Sequence, residues 1–524
     1  MNWRPYWRGR ERFTVFAGAW NDDAVQAWLK QWREDDQRPR RLHIIALTAD
    51  GLPGFRRLLQ PDAAVTVDLL HAPLDAALAR LQARIDGAVF DGAIVPPSLA
   101  RLLERDAVLF DPATGAIGRY ATRKPIAPPP PAPQRTAIVI GAGLAGAAAC
   151  ERLCARGWHV TLLERHPAAA MEASGNLAGI SMPLLSKDDN ITSRLTRAAF
   201  LFARDYWRTL GGVGIGAGAA IEGQNCGVLL AARDPAHARQ QRAIAAAQAL
   251  PLDYAQWFDA DNRFGGLAPH GAWLFPGGGW MRPGSAIAAM LDACGPRLQM
   301  RFGVGDVTLQ RGAADADGWT ARGADGQRIA AAPTVIVASG GAAIAQTAAL
   351  PFERVRGQVT HLAAGAAPEL GYVLCREAYL TPAAGGMRSA GATYDSDADP
   401  ALRMASQQQN LDNMRSMLAD PSLAHAAPLA GRVGFRAVAP DRLPMVGAVP
   451  EPAFEIGAER LRELPRQPGL YALLAYASRG LIWAPLAAEL LAAAIEGEPL
   501  PLESDLAAAL DPGRFVLRAR RTRT

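Results

Sequence analysis

Short apolar runs bounded by glycines alternate with stretches of helical periodicity along most of this chain. That alternation is the signature of strands and helices building a parallel sheet. It is clearest between Thr136 and Glu164. The apolar run Ala137–Ile140 predicts a buried strand, and Gly141, Gly143 and Gly146 follow it at GxGxxG spacing. A helix of small residues then runs through Leu153 and stops at Gly157. The run Trp158–Leu163 predicts a second strand with Glu164 at its end. Each part suits a dinucleotide: Gly141 for a tight turn, Gly143 for close approach to a pyrophosphate, Gly146 for packing of helix on strand. The helix N-terminus favours negative charge, and Glu164 can accept hydrogen bonds from a ribose.

The residues before this unit predict a smaller α/β domain over 1–121. Phe13–Phe16, Leu42–Leu47 and Gly87–Asp91 have strand patterns, with a Trp-rich helix over Ala24–Trp32 and a second helix started by Pro97. Only Gly18 stands where a nucleotide-binding unit would carry its glycine loop. Thr48 and Ala49, not an acidic residue, follow the Leu42–Leu47 strand. Residues 122–135 are proline-dense, which favours a stiff extended spacer and a domain boundary; an SH3-type ligand is the competing reading.

Beyond Glu164, the glycine-punctuated segment Met171–Ile180 predicts a loop at the cofactor crevice, and residues 190–210 an amphipathic helix. Gly211–Pro283 has the broken strand pattern of a sheet laid over a substrate. Arg301–Leu309 and Gly318–Ile329 predict hairpin strands, and Ala332–Gly341 a buried strand ending in Gly340 and Gly341. Tyr471–Ile482 predicts a strand, a turn at Ser478-Arg479-Gly480 and a long Ala/Leu helix to Ile495.

Bulk properties narrow the class further. The chain has 524 residues, more than one ordinary core holds. Half are hydrophobic and a fifth charged, as in a soluble globular protein. A net charge of +5 permits an anionic partner without establishing one. Lysine occurs only at Lys30, Lys124 and Lys187, a compositional bias toward arginine. Five cysteines form no CxxC and no zinc-type cluster, so no metal is expected; Cys150 and Cys154 suit burial on the glycine-loop helix. There is neither a signal-peptide core nor an apolar run of membrane-spanning length, so a cytoplasmic protein without membrane association is expected. The tail Arg514–Arg523, with five arginines, is a candidate phosphate contact, as are Arg4, Arg8, Arg10 and Arg12 among Trp3, Tyr6 and Trp7. The oligomeric state is not legible.

A run of motifs, in order from about residue 136 to 517, carries a family resemblance. They are Ala173-Ser-Gly-Asn176, Pro183-Leu-Leu-Ser186, Glu353-Arg-Val-Arg-Gly-Gln-Val359, Tyr379-Leu-Thr-Pro382 and Gly391-Ala-Thr-Tyr-Asp395. Arg432-Val-Gly-Phe-Arg436, Asp441-Arg-Leu-Pro-Met-Val-Gly447, Ser478-Arg-Gly-Leu481, Ala484-Pro-Leu-Ala-Ala-Glu-Leu490 and Gly497-Glu-Pro-Leu-Pro501 follow. This part resembles FAD-dependent amine oxidoreductases of the glycine oxidase and D-amino-acid oxidase class. Within that class it is most similar to the C-terminal half of the bifunctional MnmC family, which builds 5-methylaminomethyl-2-thiouridine in tRNA. The N-terminal part echoes the family's S-adenosylmethionine-dependent methyltransferase half through Phe13–Phe16, Trp20-Asn-Asp22, Leu42–Ile45 and Phe90-Asp-Gly92, in shortened form.

The resemblance implies an α/β fold: an FAD-binding Rossmann-like domain carrying an antiparallel substrate sheet, plus the small N-terminal α/β domain. The FAD-binding segments would be about 136–210, 284–345 and 430–517, the substrate segments 211–283 and 346–429, and residues 518–524 a basic tail. It implies FAD held by Gly141, Gly143, Gly146 and Glu164 at the ADP half, with Ser174, Asn176, Arg479, Gly480 and Leu481 near the isoalloxazine. Arg165, Val307 and Gly340 complete the expected cofactor contacts. The implied substrate is 5-carboxymethylaminomethyluridine at the tRNA wobble position, which oxidation and hydrolysis would convert to aminomethyluridine and glyoxylate. A carboxylate-bearing substrate calls for a bidentate cation. Arg436 is the candidate, with Tyr379 as a second donor and Arg479 for negative charge developing on the flavin. With no glycine loop and no acidic residue at Thr48, the methyltransferase activity is expected to be lost. An oxidase of free glycine or D-amino acids, and a non-catalytic flavin-containing tRNA-binding protein, are the competing readings.

Overall fold

A computed structural model of the chain describes residues 1–91, 95–120, 134–260, 262–312, 318–342, 344–418, 428, 430–452 and 459–521. The proline-rich linker therefore lies outside the described residues up to residue 133, as do the last three residues of the basic tail. The chain divides into two compact units. One comprises Met1–Arg135 with Glu489–Ala508, the other Thr136–Ala488 with Ala509–Thr524. The expected boundaries put 489–508 in the larger domain, because the apolar Ala/Leu periodicity of the helix Gly480–Glu496 does not say what it packs against.

The first unit is built on a seven-stranded sheet. Its five parallel strands lie in the order Val65–His71, Arg41–Leu47, Arg12–Ala17, Ile85–Val89, Leu103–Phe110. In chain order that is 3-2-1-4-5, the doubly wound arrangement, with its switch point between Arg12–Ala17 and Ile85–Val89. Gly54–Leu59 and Ile117–Tyr120 add antiparallel edges. The helix Asp22–Glu34, capped by Asn21 accepting from the Ala24 N–H at 2.8 Å, buries Val25, Trp28, Leu29 and Trp32. Trp3 and Trp7 are fully buried with them against Phe13, and the Trp7 indole donates to Asp35 at 2.8 Å. These two tryptophans are core, which corrects their reading as part of a nucleic-acid patch. Arg4 pairs with Glu34 at 3.0 Å and Arg10 with Asp86.

The same unit holds a buried ionic cluster. Arg57, with no solvent exposure, donates twice to Asp68 at 2.7 Å and once to Glu489 at 2.8 Å. Beside it Arg41 pairs with Glu498 at 3.0 Å.

The second unit contains a six-stranded sheet ordered Leu298–Arg301, His159–Leu163, Thr136–Ile140, Thr334–Val337, Arg466–Leu474, Met445–Pro450. All neighbours are parallel except the last pair. An eight-stranded, largely antiparallel sheet runs from Gln256–Phe258 to Glu353–Ala363 and Ala430–Val438. Two expectations shift. Ala430–Val438 belongs to this larger sheet rather than to the cofactor sheet, which resumes at Met445. Of the expected hairpin strand Arg301–Leu309, only its end enters the antiparallel ribbon Thr308–Arg311, Trp319–Arg322, Arg328–Ala332; its first residue instead closes Leu298–Arg301, which pairs in parallel with His159–Leu163. Among the described residues no helix is long and apolar enough to cross a membrane.

Candidate active site

A cavity of about 450 Å³ opens in the second unit where the parallel strands end. It is lined by the glycine turn, the Glu172–Gly179 loop, the ends of Thr334–Val337 and Arg466–Leu474, and one face of the large sheet. At the turn, Gly141 has φ +105° and its N–H donates to the Leu163 carbonyl at 2.8 Å. A Cβ on Gly146 would sit 1.8 Å from the Gly141 carbonyl oxygen, so only glycine lets the helix Leu144–Cys154 start this close to the strand. Gly143 is the N-cap and has no side chain to cap it, although the Leu144 N–H donates to Ser174 Oγ at 3.2 Å. First-turn N–H groups are left for an anionic ligand. Glu164, buried at the end of the second strand, accepts from the Ala142 N–H at 2.6 Å and the His166 N–H at 2.9 Å. It braces the turn, and its remaining lone pairs are free to receive hydroxyl donors.

Of the residues singled out from the sequence, Gly141, Gly143, Glu164, Arg165, Ser174, Asn176, Val307, Gly340, Gly480 and Leu481 all line this one cavity. So do Tyr379, Arg436 and Arg479. Gly146 stands behind the turn. Arg165 is held by Asp306 at 2.6 Å.

At the large sheet, the Arg436 guanidinium lies against Gly357, where a Cβ would meet Nη1 at 2.1 Å. It donates to the Thr393 carbonyl at 3.2 Å and stacks 4.3 Å from the Tyr394 ring centroid. No carboxylate among the described residues pairs with it. Arg479 likewise has no carboxylate partner there; burial pulls its pKa down, the nearby Arg442 adds to that, and Tyr394 opposes. Tyr379 is half-buried, and burial pushes its hydroxyl pKa up while the Arg436 charge opposes. Tyr476 also lines the cavity, and its buried hydroxyl has no hydrogen-bond partner.

Sequence reasoning missed Tyr394, Tyr476 and Gly357 as site residues. Tyr394 and Gly357 fall inside motifs already singled out. Tyr476 precedes the Ser478-Arg479-Gly480 turn by two residues, and Ala475 and Ala477 on either side of it have φ +61° and +49°. Such left-handed alanines are costly and concentrate at functional turns.

A glycine turn fitted to a pyrophosphate, a buried acid at the second strand end, an orphaned hydroxyl and unpaired guanidinium groups suit a large anionic dinucleotide. Residues 136–494 match the family model described as FAD dependent oxidoreductase, or DAO. Solved structures agree in fold. Glycine oxidase from Geobacillus kaustophilus superposes with a TM-score of 0.57 at 21% identity, over 72% of this chain and 98% of that one. L-proline dehydrogenase from P. horikoshii does so at 0.58 and 17%, over 74% and 98%. The chain is thus an FAD-dependent oxidoreductase, with FAD as its cofactor.

Full-length relatives narrow the class. The tRNA 5-methylaminomethyl-2-thiouridine biosynthesis bifunctional protein MnmC of Aromatoleum aromaticum is 38% identical, over 99% of this chain and 92% of its own length. The protein of that name from Azoarcus sp. (strain BH72) is also 38% identical, over 98% and 92%. The chain belongs to the MnmC family.

Proposed function

We propose that this protein oxidatively removes the carboxymethyl group of 5-carboxymethylaminomethyl(-2-thio)uridine at the wobble position of tRNA. The products are 5-aminomethyl(-2-thio)uridine and glyoxylate, and the reaction takes place in the cytoplasm. The observation that carries the reading is Arg436: a guanidinium with no carboxylate partner among the described residues, inside the cavity of an FAD-dependent oxidoreductase and lodged between Gly357 and the Tyr394 ring. A planar cation held in one orientation suits bidentate capture of a glycine-like carboxylate.

FAD, when bound, accepts two electrons and a proton from the substrate's N–CH₂ unit. The chain's residues do the positioning. Gly141, Gly143, Gly146, Glu164, Arg165 and Val307 hold the dinucleotide half, and Ser174, Asn176, Gly340, Gly480 and Leu481 surround the ring half. Arg436 fixes the carboxylate, Tyr379 donates a second hydrogen bond to it, and Arg479 supplies positive charge where negative charge develops on the cofactor. The carbon between nitrogen and carboxylate is thereby held still, and the substrate nitrogen needs only to be unprotonated. Hydrolysis of the resulting substrate imine adds water across C=N and releases glyoxylate, leaving the primary amine on the tRNA.

The methyltransferase step that completes the bifunctional name of the relatives is absent from this chain. In support, the Gly18 N–H is engaged by the Val89 carbonyl at 2.9 Å and the Trp20 N–H by the Leu47 carbonyl at 2.6 Å. Two of the backbone donors at the switch point are thus already paired. Thr48 stands where a ribose carboxylate would, its N–H bonded to Leu70. The alignment with the Aromatoleum relative runs over 596 positions, so that relative carries segments with no counterpart in these 524 residues.

The test is incubation of the flavin-loaded protein with tRNA bearing the carboxymethylaminomethyl group. Loss of that group by nucleoside mass spectrometry, with stoichiometric glyoxylate, supports the reading. Turnover of free glycine with the tRNA untouched would replace it with an amino-acid oxidase, and tRNA binding without conversion with a non-catalytic flavoprotein.

A further inference from the structure

Tyrosines occupy three positions around the cavity, and one of them differs in kind. Tyr379 and Tyr476 are half-buried, whereas Tyr394 is 65% exposed while still lining the cavity. An aromatic side chain that lines a cavity and also meets solvent stands at its mouth. One side of the ring is occupied by the Arg436 guanidinium, and among the described residues no other ring packs on it.

The backbone beneath Tyr394 is fixed on both sides. The Thr393 N–H donates to the Gln358 carbonyl at 3.1 Å, and Asp395 exchanges backbone hydrogen bonds with Arg356 at 2.9 and 3.0 Å. The fully buried Arg356 also pairs with the Asp395 carboxylate at 3.0 Å. A large exposed ring on a rigid support, with no folding role visible around it, has the properties of a preorganised recognition surface.

We propose that the Tyr394 ring is the platform on which the pyrimidine of the nucleic-acid substrate stacks while its side arm reaches Arg436. This rests on the function proposed above. The geometry is compatible in scale: four bonds separate the carboxylate carbon of the substrate arm from the pyrimidine ring, about 5 Å when extended. The ring centroid of Tyr394 lies 4.3 Å from the Arg436 guanidinium carbon. A carboxylate on Arg436 therefore brings the base within reach of the Tyr394 ring. Stacking of this kind tolerates any aromatic face and does not need the hydroxyl.

The experiment compares Tyr394→Ala, Tyr394→Phe and Tyr394→Trp with the parent, each flavin-loaded, on tRNA bearing the carboxymethylaminomethyl group. The expected result is a KM for tRNA raised roughly tenfold or more in Tyr394→Ala. Its kcat changes far less, and Phe and Trp restore KM to within about threefold. Flavin absorbance and thermal melting of each variant check that the fold is retained. A Tyr394→Ala protein with an unchanged KM, or a Phe variant as impaired as Ala, overturns the proposal while leaving the proposed reaction standing. A parent protein inactive on the tRNA overturns both.

Discussion

Each unit of this chain has a core of parallel strands, and among the described residues the glycine turn and terminal acid suited to a nucleotide occur together in the second. In the second unit the first strand ends in Gly141, with φ +105°, and a helix starts so close that the Gly146 position admits no Cβ. The next strand ends in a buried carboxylate, Glu164. In the first unit the corresponding turn carries Gly18 alone, its N–H already bonded across the switch point to Val89. The next strand, Arg41–Leu47, is followed by Thr48 rather than by an acidic residue. The same order of parallel strands thus carries a glycine-turn cofactor site in one unit, and in the other a switch point whose Gly18 and Trp20 N–H groups are paired with backbone carbonyls. Topology supplies a crevice; turn chemistry decides whether anything binds in it.

The sharpest way to break the contrast is to remove the feature the first unit lacks. Gly146→Val places side-chain atoms against the Gly141 carbonyl, which is backbone and cannot swing away. The expected outcome is protein purified without flavin, read from absorbance near 450 nm per chain. Flavin at the parent's stoichiometry would mean the turn is not the anchor.

Next in size is the ionic cluster of the first unit. Arg57→Ala leaves Asp68 buried without its cation, a loss of about 3–5 kcal/mol by denaturant unfolding. A loss below about 1 kcal/mol would show that water reaches the cluster and that it is not what holds this unit together.

Smaller effects sharpen the working site. Arg436→Ala removes charge-assisted hydrogen bonds of about 1.5–3 kcal/mol, so KM for tRNA rises roughly 10- to 100-fold. An unchanged rate at low substrate would take Arg436 out of the site. Glu164→Gln keeps the shape and removes the charge that accepts from Ala142 and His166. Flavin Kd is then expected to weaken by about tenfold, the smallest effect of the series.

Much of this contrast is written in local sequence, because a GxGxxG turn with flanking strands and a terminal acid is a short-range pattern. The fold class and the convergence of Glu164, Ser174, Tyr379, Arg436 and Arg479 on one cavity also follow motif order. What was not legible depends on distant partners. Arg57 and Glu489 are separated by 432 positions, so nothing near either predicts a buried pair. Trp3 and Trp7, among arginines, have the composition of a nucleic-acid patch, yet their indoles fill the core beneath Phe13. The basic tail is similar. Arg514 is buried, and it and Arg518 both pair with Asp441, so part of the expected phosphate-binding charge is internal to the fold. Tyr394 does not stand out in the sequence, because exposure, the property that distinguishes it, is not a sequence property.

The central claim is one working nucleotide cofactor in one working unit. Its most direct test is a single incubation of the flavin-loaded chain with tRNA bearing 5-carboxymethylaminomethyl(-2-thio)uridine and excess S-adenosylmethionine, followed by nucleoside mass spectrometry. Accumulation of the 5-aminomethyl nucleoside, with no methylated product, is the expected result. Appearance of the 5-methylaminomethyl nucleoside would show that the first unit still binds S-adenosylmethionine and transfers its methyl group, and would contradict the account.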